Sequence, residues 1–366
     1  MLTRLYIDNF LCFVNFEYRP GRKQLLLGAN GSGKSSVLTA IRYLKWFVKG
    51  GENRFTQSMR TRWQDMHLQV LEVEAQLDGQ KYEYRVEIGF SPETREPSVH
   101  LERLKASGAP VFEFANGEIH FFPNNSSQST TVPLETSKSG LYLSQLSNSR
   151  VRRFVEWIES IHCFDIDAYP EAMDESADKE DRYPDDELEN LAEWYRHLVQ
   201  TEPDKNVKFL ASMKEALSGF QALRFTSGED GRRNLRADFM APGKKMANYA
   251  ISELSQGQRC LLALYMILHF LIAMGHTVFI DEPDNFVSLR EIQPWLLAAD
   301  EAIEDHHGQL ILISHHPEIL NQWAASHGLL FFREENGHVR TKKFKADPKG
   351  DLQPADLVAR GWERDE

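Results

Sequence analysis

The sequence feature that most constrains the fold is a glycine-rich run from Gly28 to Ser35, which reads G-A-N-G-S-G-K-S. It matches the phosphate-binding pattern G-x-x-x-x-G-K-S. The apolar run Gln24 to Leu27 precedes it, and apolar residues recur at helical spacing from Val37 to Val48. A strand, a glycine-rich loop and a helix in this order predict a phosphate-binding loop (P-loop), also called the Walker A motif.

The residue types of the predicted P-loop suit a nucleoside triphosphate with Mg²⁺. Glycines let successive backbone N–H groups surround phosphate oxygens, and the helix directs its positive end at them. Lys34 is expected to bridge the β- and γ-phosphates and Ser35 to bind Mg²⁺. The simpler alternative is a glycine-rich turn with a chance lysine. The predicted nucleotide-binding residues of this loop are Asn30, Gly31, Ser32, Gly33, Lys34, Ser35 and Ser36.

Length and composition indicate an intracellular globular protein. The 366 residues suffice for two domains or one large composite domain. No secretory signal is apparent, and the longest uncharged apolar run, Leu261 to Gly275, is shorter than the roughly 20 residues that span a bilayer. The three cysteines show no metal or redox spacing. We therefore expect a cytoplasmic protein that does not contact a membrane.

The charge distribution bears on possible nucleic-acid binding. The net charge of −12 argues against a protein that binds nucleic acid over its whole surface. Residues 171–190 contain ten Asp or Glu residues and are predicted to form a solvated surface loop. Small basic clusters occur outside this stretch, and because nucleic-acid footprints are local, DNA stays a possible partner.

The order of sequence patterns predicts three regions. Residues 1–150 form an N-terminal lobe with the P-loop and an antiparallel β-subdomain, in which Asp78-Gly79 is a strong hairpin signal. Residues 151–247 form a helical insert that carries the acidic loop 171–190. Residues 248–366 form a C-terminal lobe, in which two buried strands, 277–280 and 310–313, alternate with helices and predict a parallel sheet.

The first buried strand of the C-terminal lobe ends in acidic residues. Asp281 and Glu282 directly follow its apolar residues. An apolar strand that ends in Asp-Glu is typical of a Walker B motif, in which Asp281 supports the Mg²⁺ shell and Glu282 polarises the attacking water. An acidic strand end before a turn is the alternative.

A third motif, Leu254-Ser255-Gln256-Gly257-Gln258, lies at the start of a predicted long helix, 255–274. In one interpretation Ser255 is only a helix N-cap. In the other, the motif has the form L-S-x-G-Q of an ABC signature, whose serine and helix N-terminus face the γ-phosphate of a nucleotide held by another subunit. Ser255, Gly257 and Gln258 are therefore candidate nucleotide-binding residues.

A histidine pair follows the second buried strand. His315 is placed to hydrogen-bond the γ-phosphate and the attacking water, although His316 remains an alternative. Adjacent side chains on extended backbone point apart, so the pair is not expected to bind one metal ion.

These motifs together resemble an ABC-type ATPase head. Walker A, L-S-Q-G-Q, I-D-E-P and I-S-H-H-P occur in this order, and the resemblance is to the RecF/SMC/OLD-like bacterial AAA-family ATPases. It includes the segment Phe10 to Phe13 ahead of the P-loop, D-E-P-D-N from Asp281 to Asn285, and the stretch Ser314 to Glu318. It covers about 1–50 and 248–325 and is weak between them.

The resemblance implies an α/β P-loop NTPase fold of the ABC-head type, with an antiparallel β-rich lobe and a helical insert. It further implies an ATPase in which two heads sandwich two ATP molecules, as a homodimer, with Asp284 or Asn285 communicating across the interface. Such heads also carry a glutamine that senses Mg²⁺ and the γ-phosphate. Gln145 is the best-placed candidate and Gln64 competes with it.

Departures from the family narrow the expected function. No long coiled-coil pattern is present, and only 51 residues follow His315, too few for a Toprim nuclease domain (366 − 315). We therefore expect a head that works in DNA repair, genome maintenance or anti-phage defence through a separate effector protein. The alternatives are a transporter or ribosome-associated subunit, and a regulatory or sensor ATPase whose ATP-bound form is a scaffold for a partner.

Overall fold

The computed structural model describes residues 1–50, 53–115, 117–122, 130–133, 138–141, 148–166, 173–228, 231–241, 243 and 245–361. These residues divide into two compact units. Unit 1 comprises residues 1–161 and 327–344, and unit 2 comprises residues 162–326 and 345–366. The two units are described separately.

Unit 1 contains a large antiparallel sheet of eight strands. Its strands are β1 (Leu2–Asp8), β2 (Phe16–Tyr18), β4 (Gln69–Leu77), β5 (Gln80–Phe90), β6 (Pro97–Ala106), β7 (Ala109–Ala115), β8 (Glu118–Phe121) and β9 (Thr130–Pro133). Their order in the sheet is β2-β1-β4-β5-β6-β7-β8-β9. Alternate residues of β5 are buried, which is the pattern of a sheet with one face on a core.

The predicted hairpin at Asp78-Gly79 is confirmed. Leu77 pairs with Gln80, and both turn residues have positive φ, 48° and 77°, as a two-residue type I′ turn requires. Strand β9 lies inside the Ser-, Thr- and Asn-rich segment 123–140, whose composition predicts a loop. Its sequence Thr-Thr-Val is β-branched, and pairing with β8 realises that preference.

The rest of unit 1 surrounds the P-loop. Strand β3 (Lys23–Leu27) precedes the loop and helix α1 (Lys34–Val48) follows it. Strand β17 (Gly328–Arg333) runs parallel to β3 and pairs antiparallel with β18 (Val339–Lys343). Helix α2 (Ser149–Glu159) begins at Asn148, whose side chain accepts from Arg150 N and Val151 N. The apolar spacing within 141–161 predicts a helix, but α2 ends at Glu159, and residues 142–147 lie outside the described part.

Unit 2 combines a parallel strand pair with helices and a small antiparallel sheet. Its elements are β10 (Ile161–Asp165), β11 (Ser176–Ala177), α3 (Leu191–Thr201), α4 (Pro203–Ala216), β12 (Phe220–Ser227), β13 (Arg233–Ala241), β14 (Lys245–Ala250), α5 (Gln256–Phe270), β15 (Thr277–Asp281), α6 (Leu289–His306), β16 (Gln309–Ile313) and α7 (Pro354–Arg360). Strand β15 pairs parallel with β16, and β10 lies beside β15. Helical turns of mixed type occupy 317–327.

The core of unit 2 is built around α5. Eleven of its residues are buried, so the helix is apolar on nearly all sides, as expected for an element packed from several directions. The Trp295 indole N–H on α6 donates to Leu264 O at 2.9 Å. Gln256–Met274 has the length and composition of a membrane span, but 72% of it is buried within the fold. The predicted helix 255–274 is interrupted: α5 ends at Phe270, and residues 272–274 form a 3₁₀ turn before Gly275 at φ 80°.

The acidic stretch is more structured than a solvated loop. Met173, Ala177 and Leu188 within it are buried. The side chain of Asp185 accepts from Glu189 N and Asn190 N, and Asp181 accepts from the Asn190 amide. Acidic side chains thus close local turns, while apolar residues between them reach the core of unit 2. Residues 171 and 172 lie outside the described part.

Candidate functional site

The candidate site residues form two groups, one in each unit. The P-loop belongs to unit 1. The signature, the Walker B residues and the histidine pair belong to unit 2. Gln145 lies outside the described residues. Its competitor Gln64 is in unit 1, where its amide nitrogen lies 3.5 Å from His338 Nε2.

The P-loop begins directly at the end of β3, as predicted. Gly28 has φ 137°, and a Cβ there would lie 2.3 Å from the carbonyl oxygen of Phe331 on β17. No other residue fits this position, because both the backbone angle and the adjacent strand exclude a side chain. The close approach therefore fixes the start of the loop against β17.

Lys34 is the first residue of α1 and is only 7% exposed. Its ammonium donates to Gly28 O at 2.7 Å and to Ala29 O at 3.3 Å. The lysine is thus folded back over the loop that precedes it, which is the position from which it can bridge phosphate oxygens. Ser35 is exposed and Ser36 is partly exposed beside it.

The P-loop meets the chemical requirements of an anion site. The first turn of α1 contains no acidic residue, and no side chain caps its N-terminus. Its N–H groups and dipole therefore favour an anion. Asn30 and Gly31 are exposed at the loop, whereas the Ser32 hydroxyl is buried and has no hydrogen-bond partner among the described residues. A phosphate oxygen would supply that partner.

Ser255 forms the N-cap of α5. Its Oγ accepts from Gln258 N at 3.2 Å, and the Gln258 side chain accepts from Ser255 N at 2.9 Å, which completes a capping box. Ser255 therefore acts as a helix N-cap, as the first interpretation predicts. Its side chain is also exposed on unit 2. Gly257 allows the next loop to approach, since a Cβ there would lie 2.8 Å from the carbonyl oxygen of Phe286.

The Walker B residues lie where β15 ends. Asp281 is half-buried and pairs in register with Ile313 of β16. Glu282 is exposed, has φ 49°, and donates its N–H to Ile313 O at 2.8 Å. Its carboxylate accepts from the Asn285 amide at 3.0 Å. A left-handed conformation is unusual for glutamate, and such local strain is concentrated at functional sites.

The ends of β15 and β16 are linked by side chains. Ser314 donates its hydroxyl to Asp284 at 2.5 Å and accepts from His316 N at 3.0 Å. His316 Nδ1 in turn accepts from Glu318 N at 3.3 Å, so this histidine caps a helical turn. His315 is exposed and has no hydrogen bond among the described residues. Of the two alternatives, His315 is the more exposed.

Several residues that support the signature were missed by sequence reasoning. The Arg259 guanidinium, 1% exposed, donates to Ser252 O at 3.1 Å and also to Leu254 O. Glu175, in the acidic stretch, accepts from Ser252 Oγ at 3.1 Å. Arg259 directly follows the motif, which was a usable signal, whereas Glu175 is 77 residues from Ser252 and no local pattern points to it.

The predicted metal-binding residues are Ser35 and Asp281, one from each unit, and Gln145, which lies outside the described residues. The described part of the chain contains no group of three or more His, Cys, Asp and Glu side chains that could hold a metal ion. Mg²⁺ is usually bound by one or two protein oxygens together with water and substrate phosphates.

A solved structure shows the same fold at low sequence identity. The Smc head bound to the C-winged helix domain of ScpA has a TM-score of 0.59 and 12% identity, covering 96% of this chain and 99% of that chain. The SMC head domain from Thermotoga maritima has a TM-score of 0.49 and 15% identity, covering 94% and 99%. No curated protein matches the sequence. The predicted fold class, an ABC-type P-loop NTPase head, is confirmed.

A family model matches residues 25–321, which include the P-loop, the signature, the Walker B residues and the histidine pair. P-loop ATPases of this class bind nucleotides, so the match and the geometry of the loop agree. The chain belongs to the family described as "AAA domain, putative AbiEii toxin, Type IV TA system" and has the fold of an SMC-type ATPase head.

Proposed function

We propose that this protein binds and hydrolyses ATP, dimerises around two ATP molecules and couples turnover to DNA repair, genome maintenance or anti-phage defence through a separate effector protein. The observation that carries the proposal is the P-loop, in which Lys34 opens α1 and folds its ammonium over the loop carbonyls. An uncapped helix N-terminus without acidic residues supports the same conclusion.

In the proposed reaction, the P-loop and Lys34 bind the phosphates of ATP and neutralise their charge. Ser35 and Asp281 would hold Mg²⁺, which would neutralise part of the phosphate charge. Glu282 orients the attacking water, and its hydrogen bond to Asn285 limits the positions that its carboxylate can take. His315 donates to the γ-phosphate. The Ser314–Asp284 hydrogen bond couples the histidine segment to the loop after Glu282.

The proposed dimer uses the exposed residues of unit 2. Ser255 is exposed at the N-terminus of α5, where its hydroxyl and the helix dipole suit a phosphate. We propose that it completes the ATP site of a second copy. The solved complex of an Smc head with a domain of ScpA supports, by analogy of fold alone, the proposal that a separate protein binds this head. DNA is a further proposed partner, and we propose a cytoplasmic location without membrane contact.

Phosphate release from ATP, measured on the full chain with Mg²⁺, tests the proposed hydrolysis. Lys34→Ala should abolish ATP binding. Glu282→Gln should retain binding and lose turnover by roughly 100-fold or more, the range for a positioned acid–base group. The control is Glu301→Gln, an exposed glutamate on α6, which should leave turnover unchanged. Turnover by Glu282→Gln at the rate of the unmodified protein would refute the assignment.

One contact favours a second candidate function. In this function the ATP-bound form is a regulatory scaffold for a partner, and ATP turnover is incidental. Glu175 connects the acidic stretch to Ser252, three residues before Ser255. Nucleotide binding at the signature could thus alter an acidic, partner-binding surface. Replacing the exposed Glu187 and Glu189 by Gln should weaken partner capture and leave ATP turnover unchanged. Unchanged capture would remove the reason for this alternative.

A further inference from the structure

An arginine remote in sequence holds the P-loop from outside. Arg333, at the end of β17, donates from Nε at 2.9 Å and from Nη2 at 2.8 Å to the carbonyl oxygen of Gly31. Its Nη1 donates to Gly337 O at 3.2 Å. All three guanidinium nitrogens therefore donate hydrogen bonds to carbonyl oxygens, and two of them donate to the same oxygen, that of Gly31 in the loop. No sequence motif assigns this residue a role.

The position of Arg333 follows from the strand pairing of unit 1. β17 lies parallel to β3 in the register Leu330 to Leu27. Because β3 ends at Leu27 and β17 continues to Arg333, the last residues of β17 extend alongside the loop. The same geometry brings the Phe331 carbonyl against Gly28. The loop is thus contacted by β17 at two points, through a backbone carbonyl and through a guanidinium.

The side chain of Arg333 is itself restricted. Its guanidinium carbon lies 5.9 Å from the centre of the Trp63 ring, a cation–π distance. Trp63 is 48% exposed and is also adjacent to Gly337, where a Cβ would lie 3.8 Å from the ring. Among the described residues, no carboxylate lies within ion-pair distance of Arg333. Arg333 is exposed, and the hydrogen bonds that hold its side chain go to carbonyl groups of the loop and the hairpin.

The contact acts on the part of the loop that must be ordered for binding. Ser32 N donates to Ala29 O at 3.1 Å, which closes a turn over residues 29–32. In the peptide between Gly31 and Ser32, the N–H is held by Ala29 and the C=O by Arg333. Because the two groups of one trans peptide point in opposite directions, holding both fixes its orientation. A loop that is ordered before binding loses less conformational entropy when a ligand arrives.

We propose that Arg333 is a positioning residue of the nucleotide site, which keeps the P-loop in its binding conformation in the absence of ligand, with Trp63 restricting the guanidinium. This rests on the proposed function of the loop as an ATP site. The residue acts through Gly31 and contacts the loop from the side of its carbonyl. Arg333 should therefore affect the affinities for ATP and ADP equally, because it orders the loop and does not contact the γ-phosphate.

The first test is independent of nucleotide. Amide hydrogen exchange of the segment 28–33 is measured on the full chain without ligand, for the unmodified protein and for Arg333→Ala. The variant should exchange the Ser32 amide about 10-fold faster, since one residue's backbone freedom is released. Arg340→Ala is the matched control, because Arg340 lies on the same hairpin and donates to Val14 O at 3.1 Å and Val339 O at 2.8 Å. It should leave this exchange unchanged.

The second test separates binding from turnover. Arg333→Ala should weaken the Kd for both ATP-Mg²⁺ and ADP-Mg²⁺ about 10-fold and leave kcat within about twofold. Arg333→Lys should restore only part of the affinity, because an ammonium cannot make the paired contact to Gly31. A residue that only stabilises the hairpin would lower the melting temperature, as Arg340→Ala should, without this loss of affinity.

The outcomes distinguish the two proposals. Unchanged exchange and unchanged Kd in Arg333→Ala, in a protein that binds ATP, would overturn the role of Arg333 alone. If neither the unmodified protein nor Lys34→Ala bound nucleotide, the proposed function would fail, and the exchange measurement would still decide whether Arg333 orders the loop.

Discussion

The stability of unit 1 should depend on pH through one buried carboxyl group. Glu102 on β6 is fully buried and accepts from the Tyr84 hydroxyl at 2.8 Å, the Ser139 hydroxyl at 2.5 Å and Gly140 N at 2.8 Å. Burial raises the pKa of Glu102 from 4.5 to about 7, although the three hydrogen bonds act in the opposite direction. The carboxyl group thus ionises in the unfolded chain at lower pH than in the fold.

The direction in which pH changes the stability follows from the number of protons that each state binds. Between pH 4.5 and 7 the folded state binds more protons than the unfolded state, so the free energy of unfolding falls as pH rises through this window. The pKa difference corresponds to a decrease of roughly 2 to 3 kcal/mol between pH 5 and pH 8. The glutamine in Glu102→Gln cannot ionise, so this variant should lack the pH-dependent part of the unfolding free energy. Its amide can change the unfolding free energy only by an amount that does not depend on pH.

Urea denaturation of both proteins at pH 5, 6, 7 and 8 measures the effect. The difference in unfolding free energy, unmodified protein minus Glu102→Gln, should decrease steadily toward pH 8. Glu113→Gln, which removes a partly exposed carboxyl on the neighbouring strand β7, is measured alongside as the control for loss of a carboxylate from this sheet. A constant or increasing difference for Glu102 would refute the assigned pKa direction.

Two further predictions concern other parts of the chain. Burial, and to a smaller extent the charge of Lys208, lowers the pKa of His269 to about 4. The free energy of unfolding should therefore fall as pH drops below 6.5, by roughly 2 kcal/mol from pH 7 to pH 5. His269→Gln should remove this pH dependence in urea titrations, and an unaltered pH profile would contradict the prediction. Gly28→Ala should destabilise the fold more than Gly31→Ala. Positive-φ strain costs about 1–3 kcal/mol at either site, but a Cβ at Gly28 would lie 2.3 Å from the carbonyl oxygen of Phe331, whereas nothing lies within 4 Å of a Cβ at Gly31. Equal melting temperatures of the two variants would contradict this prediction.

The sequence was sufficient where local patterns determine structure. The strand, loop and helix around Lys34, the hairpin at Asp78-Gly79 and the strand that ends at Asp281 all follow from residues within about ten positions of one another. Their periodicity and turn residues are physical requirements of the local backbone. The ABC-head fold class followed from the family resemblance that the ordered motifs carry.

The sequence was insufficient where distant residues determine structure. Strand β14 carries few strand-forming residues and exists because β13 pairs with it. Glu102 is satisfied by Ser139 and Gly140, more than 35 residues later, and Arg333 reaches Gly31 across 302 residues. Such contacts depend on tertiary packing, and no window of sequence contains both partners.

The most direct test of the proposed ATP-dependent dimer is the solution mass of Glu282→Gln, measured by light scattering with and without ATP-Mg²⁺ and repeated with Ser255→Arg added. ATP should raise the mass from 42.2 kDa to twice this value, and Ser255→Arg should abolish the increase. A mass that ATP does not change, or a doubling that persists with Ser255→Arg, would contradict the role of the signature serine in a shared ATP site.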